Sequence, residues 1–487
     1  MKKYIISIVV IALLFGCEDF LEEEVYTEYD PSVFLQDEAG VDALLTGAYS
    51  AAIYSNFQAI DHFNVQQLNT DETWETGGGL NRRVLPLIEF TWDASTDYFN
   101  NGYNRFYNAI AAANNVLSVI DGLDNLEEAT LKKIEAEARF LRAFFYYNLH
   151  SYFGPTPIVT VPDGATLDEI EAVGKETPRA TEEEYRSYVE GDLLYASENL
   201  SYGGLSSRAN KGNALGLLAK FHLNNKEWEK ASETAQEVIS NGGYVLYDDY
   251  TKLFAVDGED NNEYLFRFEA AVGTNQANVY IPHAFPPNYP IQSNWENFGA
   301  QFRTYTLFYE TFEEVDIRRQ LMISEYTPTT TGVITLLSRD ADGNVLDDVR
   351  SLKFVPDPNA AGRFSGNDSP IIRLADIILA RAEALNEVSG PTQESIDLIN
   401  EIRNRASVDE VVLTDFSSKE ELRNFILAER GRELYSEGLR REDLIRHNKF
   451  IERALERGKS AQPHQVVYPL PQPQIDNNPN LEQNPYY

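Results

Sequence analysis

Two segments of the sequence combine a tryptophan with polar side chains, a combination suited to binding a sugar. The first is Asn69-Thr70-Asp71-Glu72-Thr73-Trp74-Glu75-Thr76. An exposed indole ring can stack on the apolar face of a sugar ring, while nearby amides and carboxylates hydrogen-bond its hydroxyl groups. In this segment Trp74 would stack, and Asn69 and Asp71 would hydrogen-bond.

The second segment, residues 289–297, has the same character. Here Tyr289 and Trp295 would stack, and Asn294 would hydrogen-bond. Polar loops often carry binding residues, but large aromatic side chains also pin long loops to a core. The sequence leaves both interpretations of Trp74 and Trp295 open.

Arg82 and Arg83 follow the first segment and could add recognition of a uronate or sulfate group. The chain as a whole is acidic, with 41 Lys+Arg against 77 Asp+Glu and a formal net charge of −36. This charge opposes such recognition, and it also repels nucleic acid and anionic lipid headgroups. We therefore expect no nucleic-acid partner.

The sequence has no catalytic or metal-binding motif. It lacks a His-Glu-x-x-His pair, a Gly-x-Ser-x-Gly elbow and a Walker loop, and Gly77-Gly78-Gly79 is interpreted as a flexible loop. We expect no metal, no cofactor and no catalytic residue. A glycoside hydrolase would use two carboxylates hidden among many, so that alternative stays open.

The single cysteine, Cys17, follows two lysines and an apolar run over residues 4–15. The run is too short for a bilayer core, which needs about 20 apolar residues, and the small Gly16 suits signal-peptidase cleavage. These features predict a lipoprotein signal peptide over residues 1–16 and acylation of Cys17. The alternative is an ordinary signal peptide and a chance cysteine. The acidic run 18–24 predicts a solvated tether.

Apolar residues recur every three or four positions in several segments, which predicts amphipathic helices. The pattern covers residues 135–152, 212–240 and 374–402. Gly154-Pro155 ends the first segment, and Gly390-Pro391 turns within the last. Helix pairs at separate places in a chain predict stacked helical hairpins like those of tetratricopeptide repeats.

Residues 250–369, between the helical regions, are rich in glycine, proline, asparagine and aromatic residues. Alternating pieces at 264–268 and 332–337 predict short strands among loops. In residues 466–487 proline recurs every few positions. This predicts a non-helical tail that lies extended across the helical body.

A charged segment, residues 429–446, places acidic residues at four-residue spacing among arginines. The spacing predicts ion pairs along one helix face, with Gly438 ending the helix. A catalytic cluster is the alternative, which we reject because arginine does not titrate in a useful range.

Several stretches, taken together and in this order, carry a family resemblance: residues 136–143, 152–155, 372–376, 382–384, 399–406, 429–446, 468–471 and 478–485. With these stretches the chain resembles the SusD/RagB family of outer-membrane lipoproteins of Bacteroidetes. The resemblance covers essentially the whole mature chain.

The resemblance implies a mainly α-helical fold of tetratricopeptide-like hairpins, in which a loop-rich insertion with short strands forms the ligand face. It implies a lipidated tether at residues 17–45 and an N-terminal helical region at 46–250. A variable ligand-face region would follow at 251–370, and a C-terminal helical region with the tail at 371–487.

Members of this family hold polysaccharide or oligosaccharide at the cell surface and deliver it to a SusC-like, TonB-dependent β-barrel transporter. The resemblance implies a non-catalytic glycan-binding lipoprotein, anchored in the outer membrane through Cys17 and facing the cell surface. Trp74, Tyr289 and Trp295 occupy stretches comparable to the family's ligand site. Two alternatives remain, an exported glycoside hydrolase on a helical scaffold and a peptide-binding envelope lipoprotein.

Overall fold

A computed structural model describes residues 38–56, 61–76, 78–120, 123, 126–160, 167–274, 276–299 and 301–487. Cys17, the predicted signal peptide and the acidic run 18–24 lie outside the described residues. Within the described part of the chain, no helix combines the length and the apolar composition needed to cross a membrane.

The described part is mainly α-helical. Its α-helices, in chain order, are α1 (Glu38–Asn56), α2 (Asp61–Gln67), α3 (Gly78–Glu89), α4 (Asp97–Ile120), α5 (Glu128–Phe153), α6 (Leu167–Glu176), α7 (Glu182–Asn199), α8 (Lys211–Asn224), α9 (Trp228–Asn241), α10 (Ile281–Ala284), α11 (Thr306–Tyr309), α12 (Leu374–Ser389), α13 (Gln393–Arg405), α14 (Lys419–Leu434), α15 (Arg440–Arg446), α16 (Phe450–Glu456) and α17 (Gln472–Asn477). Short 3-10 helices cover Ile317–Leu321, Leu413–Asp415 and Pro463–Val466.

The strands are short and pair only two at a time among the described residues. In chain order they are β1 (Thr73–Glu75), β2 (Tyr264–Phe268), β3 (Phe302–Thr304), β4 (Met322–Ile323), β5 (Glu325–Tyr326), β6 (Thr335–Leu336), β7 (Arg350–Ser351) and β8 (Ser369–Arg373). The antiparallel pairs are β1 with β3, β2 with β8, β4 with β7 and β5 with β6. Of the two strands predicted from the sequence, 264–268 is confirmed as β2. In the segment 332–337 only Thr335–Leu336 forms a strand, β6.

The long helices form one continuous stack, which confirms the prediction of stacked helical hairpins. Helix α1 packs on α4, α4 on α5, α5 on α7, α7 on α8, α8 on α9 and α9 on α12, which in turn contacts α13 and α14. Helix α5 contains the predicted segment 135–152 and ends at Phe153. Gly154 follows it with a φ of 70°, a left-handed conformation that favours glycine.

Helix α8 lies at the centre of this stack, and its residues from 212 to 223 are all buried. A Cβ on Gly216 would lie 2.9 Å from Leu265 Cδ2 in β2. Glycine therefore lets the strand approach the helix backbone closely.

Two local predictions made from glycine and proline are wrong. Gly78 and Gly79 begin helix α3 instead of forming a flexible loop, because Val84, Leu87 and Ile88 bury one face of that helix. The tail is not wholly extended, because α17 lies within it and accommodates Pro473 in its first turn, where no helical hydrogen bond is lost.

The tail does cross the helical body, as predicted. The backbone N–H of Tyr468 donates to the carbonyl of Tyr152 at 2.7 Å, and that of Gln472 donates to Ala94 at 2.9 Å. The amide nitrogen of Asn484 also donates to Phe153 O at 3.0 Å. These bonds fix the tail against the C-terminal end of α5 and against the segment between α3 and α4.

The prediction of ion pairs along a helix face in residues 429–446 is confirmed only in part, since Arg432 pairs with Glu429 at 2.6 Å and Arg446 with Asp443 at 2.8 Å within their helices. Helix α14 ends at Leu434, before Gly438, and most charged side chains of residues 429–446 are buried and also bind partners on other segments. We define the buried ion network as Glu263, Arg318, Lys353, Arg373, Arg405, Glu429, Glu433 and Glu437.

Glu433 is the centre of the buried ion network. Its carboxylate accepts hydrogen bonds from Arg373 at 2.6 Å, from Arg318 at 3.2 Å and from Arg405. Burial alone would raise the pKa of Glu433, but these guanidinium groups hold it well below its ordinary value. Glu433 therefore stays ionised inside the fold, where losing it would leave its guanidinium partners without their counter-charge.

Replacing Glu433 by glutamine should lower the free energy of unfolding by about 3–5 kcal/mol, since three buried guanidinium groups lose their shared counter-charge. Urea denaturation followed by circular dichroism would measure the change. Glu452→Gln is the matched control, because Glu452 pairs with Lys449 at the exposed surface. It should shift the free energy by less than about 1 kcal/mol. Equal effects of the two variants would contradict the central role of Glu433.

Candidate functional site

Trp74 lies in β1, and its indole ring is partly buried. The ring stacks on Tyr305 with centroids 6.0 Å apart, and the Arg303 guanidinium lies 5.2 Å from its centroid. The indole N–H donates to the carbonyl of Asp347 at 2.8 Å. Trp74 therefore pins the segment around Asp347, and part of its surface is left for a ligand.

Trp295 and Tyr289 are brought together by a third ring that the sequence analysis did not select. Both lie nearly parallel to buried Phe285, with centroid distances of 5.7 Å for Trp295 and 5.5 Å for Tyr289. The indole N–H of Trp295 donates to Asp357 O at 2.8 Å. The two outer rings are partly buried, so this aromatic cluster presents ring surface beside a polar loop.

The two tryptophans use the same anchoring chemistry on one downstream segment. Each donates its N–H to a backbone carbonyl, at Asp347 and at Asp357. Trp295 also forms an isolated bridge with Gly362. The structure thus combines both interpretations of the tryptophans, because each ring is a loop anchor that is still partly accessible.

Asn69 is assigned to the core and not to a ligand surface. Its side chain is 0% exposed, and its amide donates to Val65 O at 3.1 Å and to the Tyr468 hydroxyl. Asn69 follows helix α2, which ends at Gln67, and its contacts hold it in the core. The expectation that Asn69 hydrogen-bonds a sugar is corrected for this reason.

Asp71 is only partly buried, but its carboxylate is committed to Arg440, which donates to both oxygens at 2.8 and 2.9 Å. Burial opposes ionisation of Asp71, yet Arg440, Arg457 and Arg453 lower its pKa. Asp71 is therefore an ionised counter-charge, and hydrogen bonding to a sugar would compete with this ion pair.

Asn294 and Arg82 are exposed, as a ligand-binding role requires. The amide of Asn294 donates to Pro358 O and Ala360 O at 3.1 and 2.8 Å, so its nitrogen holds the facing loop. Arg82 lies on α3, and no described contact joins it to Trp295. The structure therefore groups Tyr289, Asn294 and Trp295, and leaves Trp74 and Arg82 in separate surroundings.

A cavity of about 620 Å³ opens beside Asp71 and Tyr305. We call it the basic cavity because four cationic side chains line it: Arg440, Lys449, Arg453 and Arg457. Phe308 and the 67% exposed Leu307 add apolar surface. The volume is in the range of small-ligand sites.

Sequence reasoning missed the basic cavity. Its cations come from α15, α16 and the residues that follow each of them, and its aromatic wall comes from Tyr305, more than a hundred residues earlier. Basic residues recur at helical spacing in 440–457, but only the folded structure shows that they face the segment that contains Tyr305. Phe285 was missed because a buried ring between two polar loops has no distinguishing local pattern.

A group of side chains with metal-ligating atoms occurs elsewhere among the described residues. Glu190, His222 and Glu227 each place one ligand atom within 4.8 Å of the others. Lys230 pairs with Glu190 at 2.8 Å and Arg186 pairs with Glu227 at 2.7 Å. Both carboxylates are thus neutralised by basic side chains, so the group serves as ion-paired contacts between α7, α8 and α9.

Two buried glutamates, Glu72 and Glu75, lie on either side of Trp74 along the chain. Burial raises the pKa of Glu72 and of Glu75 to about 7. Glu72 accepts a hydrogen bond from the backbone N–H of Ser436 at 2.7 Å, and Glu75 accepts one from Asn81 at 3.3 Å. Each carboxylate keeps one oxygen without a partner among the described residues. Both are too buried to act on a substrate.

Two family models match the chain. The model of the SusD family matches residues 267–487, and a model described as starch-binding and associating with the outer membrane matches residues 19–223.

Curated proteins similar to this chain include two SusD-like proteins of Formosa agariphila. One is 27% identical, covering 99% of this chain and 97% of its own length, and the other is 28% identical, covering 99% of each. The starch-binding protein SusD of Bacteroides thetaiotaomicron is 25% identical over 87% of this chain and 85% of that protein.

Solved structures share the fold. A laminarin-binding SusD-like protein superposes with a TM-score of 0.77 at 22% identity, covering 93% of this chain and all of that one. A SusD homologue from Bacteroides thetaiotaomicron gives 0.80 at 21% identity, covering 96% and 100%. These likenesses confirm the mainly helical, tetratricopeptide-like fold class.

The raised pKa of Glu75 predicts a pH-dependent stability. An unfolded glutamate ionises near 4.5, whereas the folded carboxyl keeps its proton up to about 7. Between these values the folded state binds the extra proton, so stability falls as the pH rises. Glutamine cannot ionise, so Glu75→Gln should be more stable than the parent at pH 8, by about 1–3 kcal/mol, and nearly equal to it at pH 4.

Urea denaturation of both proteins across pH 4 to 8 would measure this difference. Glu229→Gln, on the exposed side of α9, is the control and should show no such trend. A Glu75→Gln protein that tracks the parent at every pH would exclude a neutral buried carboxyl.

Proposed function

The chain belongs to the SusD/RagB family, and from this membership we propose that it captures a glycan at the outer membrane without cleaving it. The aromatic cluster of Tyr289, Phe285 and Trp295 carries the proposal, because it presents ring surface within a polar loop. Ring stacking with flanking amides is the chemistry that recognises a sugar. The names of relatives support it, since one is starch-binding and another is laminarin-binding.

Trp295 and Tyr289 would stack on sugar rings, and Asn294 would use its remaining hydrogen-bonding capacity on hydroxyl groups. Trp74 would provide a second contact near the basic cavity, where Asp71 borders the same space. Arg82 would contribute from α3 only if the glycan extends to that helix. No catalytic residue is assigned, because Glu72 and Glu75 are buried and paired with protein groups.

The bound glycan would then pass to a SusC-like, TonB-dependent transporter. In this proposal the stacked helices face the transporter, and the loops between 251 and 370 hold the ligand. Acylated Cys17 would anchor the chain in the outer membrane, with the loops directed to the cell surface. A soluble, acidic body on a lipid anchor fits that arrangement, because the body itself has little affinity for anionic headgroups.

Alanine replacement of Trp295 and Tyr289 should weaken glycan binding by roughly tenfold or more, since two stacking surfaces are lost. Affinity electrophoresis against a polysaccharide panel, with the soluble form that begins after Cys17, would measure the loss. Tyr486→Ala is the matched control, because Tyr486 is an aromatic residue that is 87% exposed outside the cluster.

Trp295 also anchors a loop, so a second variant separates the two roles. Trp295→Phe keeps an aromatic ring and removes the N–H that binds Asp357. If stacking is the role of Trp295, the phenylalanine variant should retain most of the binding. Parent-like affinity in the double alanine variant, with an unchanged thermal midpoint, would refute the assignment. New reducing ends released from a bound glycan would favour the hydrolase alternative.

Replacing Cys17 by alanine should release the protein from the membrane fraction while leaving glycan binding intact, because acylation requires the cysteine. Fractionation of expressing cells, followed by affinity electrophoresis of the released protein, tests both parts. Ser95→Ala, at an exposed turn, serves as a control that should stay membrane-bound. Continued membrane attachment of the Cys17 variant would argue against the lipid anchor.

A further inference from the structure

The basic cavity has a charge that contrasts with the rest of the molecule. Four cationic side chains line it, against three acidic ones, Asp71, Asp347 and Glu456, in a chain of net charge −36. Such a local excess of positive charge in a concave site favours an anionic ligand.

Most of these charges already have partners. Arg440 holds Asp71, and Arg453 donates to Glu456 at 2.9 Å. Lys449 donates to Glu452 at 2.8 Å, outside the cavity lining. These pairs give three of the four cations an acidic partner, although Nε of Arg453 is also shielded and lacks a hydrogen-bond acceptor among the described residues. The fourth cation has no acidic side chain within salt-bridge distance in the described part of the chain.

The remaining cation is Arg457. Its Nη2 donates to the carbonyl of Asn69 at 3.0 Å, and the guanidinium also hydrogen-bonds the side chain of Tyr305. Nε and Nη1 are shielded from solvent and are unpaired among the described residues. Its guanidinium carbon lies 5.4 Å from the centroid of the Tyr305 ring, which forms a wall of the cavity. N–H donors that are shielded and lack an acceptor carry a desolvation cost, which an acceptor in the cavity would relieve once the guanidinium turned toward it.

The surroundings of Arg457 are electrostatically unbalanced. Burial lowers the pKa of Arg457 below its ordinary value, Tyr305 and Asp71 oppose this effect, and Arg440 adds to it. Asp71 cannot compensate Arg457 fully, because it is shared with Arg440 through two hydrogen bonds.

We infer that the basic cavity binds the oxyanion of an acidic saccharide, a sulfate ester or a uronate carboxylate, with Arg457 as the donor. Tyr305 would pack against the sugar ring that carries the group. This inference rests on the proposed function, because it names the class of glycan that the protein captures. Guanidinium groups bind both kinds of oxyanion through charge-assisted hydrogen bonds.

Affinity electrophoresis with matched polysaccharides would test the inference. The probes are a sulfated galactan and its desulfated form, polygalacturonate and its methyl ester, and neutral starch and laminarin. The parent should bind at least one acidic probe more tightly than its neutral counterpart. The pair that shows the difference tells sulfate from carboxylate.

Arg457→Gln should weaken binding of that acidic probe by roughly tenfold to a hundredfold, since a charge-assisted hydrogen bond is lost. Arg457→Lys keeps the charge without the planar donor group. It should bind the acidic probe less tightly than the parent and more tightly than Arg457→Gln. Lys132→Gln removes one exposed positive charge on α5 and should bind like the parent. Thermal midpoints of all variants verify folding.

The outcomes separate this inference from the proposed function. If the parent binds neutral glycans as tightly as acidic ones, and Arg457→Gln binds like the parent, the inference is overturned while glycan capture stands. If none of the probes retards the parent, both are overturned. Loss of acidic binding in Arg457→Gln with unchanged binding of a neutral probe would support both.

Discussion

The buried ion network is the interaction on which the arrangement of the loops depends. It connects Glu433 in α14 with Arg405 at the end of α13 and Arg373 at the junction of β8 and α12. It also includes Arg318 in the loop region, which donates a hydrogen bond of 2.7 Å to Glu429. The network therefore joins the C-terminal helices to the long insertion, and each of its charged side chains has an oppositely charged partner.

A buried ionic junction differs from apolar packing in what it specifies. Apolar contacts tolerate small shifts, whereas a carboxylate shared by three guanidinium groups fixes angles as well as distances. Lys353 shows this constraint, since burial lowers its pKa to about 8 and it still donates to Glu437 and to the backbone carbonyls of Glu433 and Tyr435, at the end of α14 and in the turn after it. That turn supplies the Ser436 N–H that holds Glu72, next to Trp74. The segment that carries Trp74 is thus positioned by the same junction.

The sequence was sufficient for the helical scaffold and for part of the site. Periodicity located α5, α8, α9, α12 and α13, because their apolar faces repeat along the chain. Prediction from local sequence patterns was wrong where contacts with distant segments determine the structure. Gly78 and Gly79 became helical through the buried face that follows them, and the i, i+4 charges of 429–446 found partners on other elements.

The same limit applies to single residues. Asn69 and Asn294 are alike in the sequence, an amide in a polar segment near a tryptophan, yet one is buried and the other is exposed. The difference comes from Tyr468, which is 399 positions away and bonds Asn69 inside the core. Residue type and spacing therefore identified the loops that carry the aromatic rings, but not which polar neighbours remain accessible.

An acidic protein with a basic cavity is electrostatically consistent, because the two act over different distances. At an ionic strength of about 0.1 M the field of remote carboxylates is screened within about 10 Å. Inside the cavity, short-range interactions in a medium of low effective dielectric constant determine binding, and the charge of Asp71 is offset by Arg440. The remote charge slows the approach of an acidic ligand, whereas Arg457 and Tyr305 determine its bound state. Net charge is for this reason a poor guide to the ligand of a cavity whose local charge has the opposite sign.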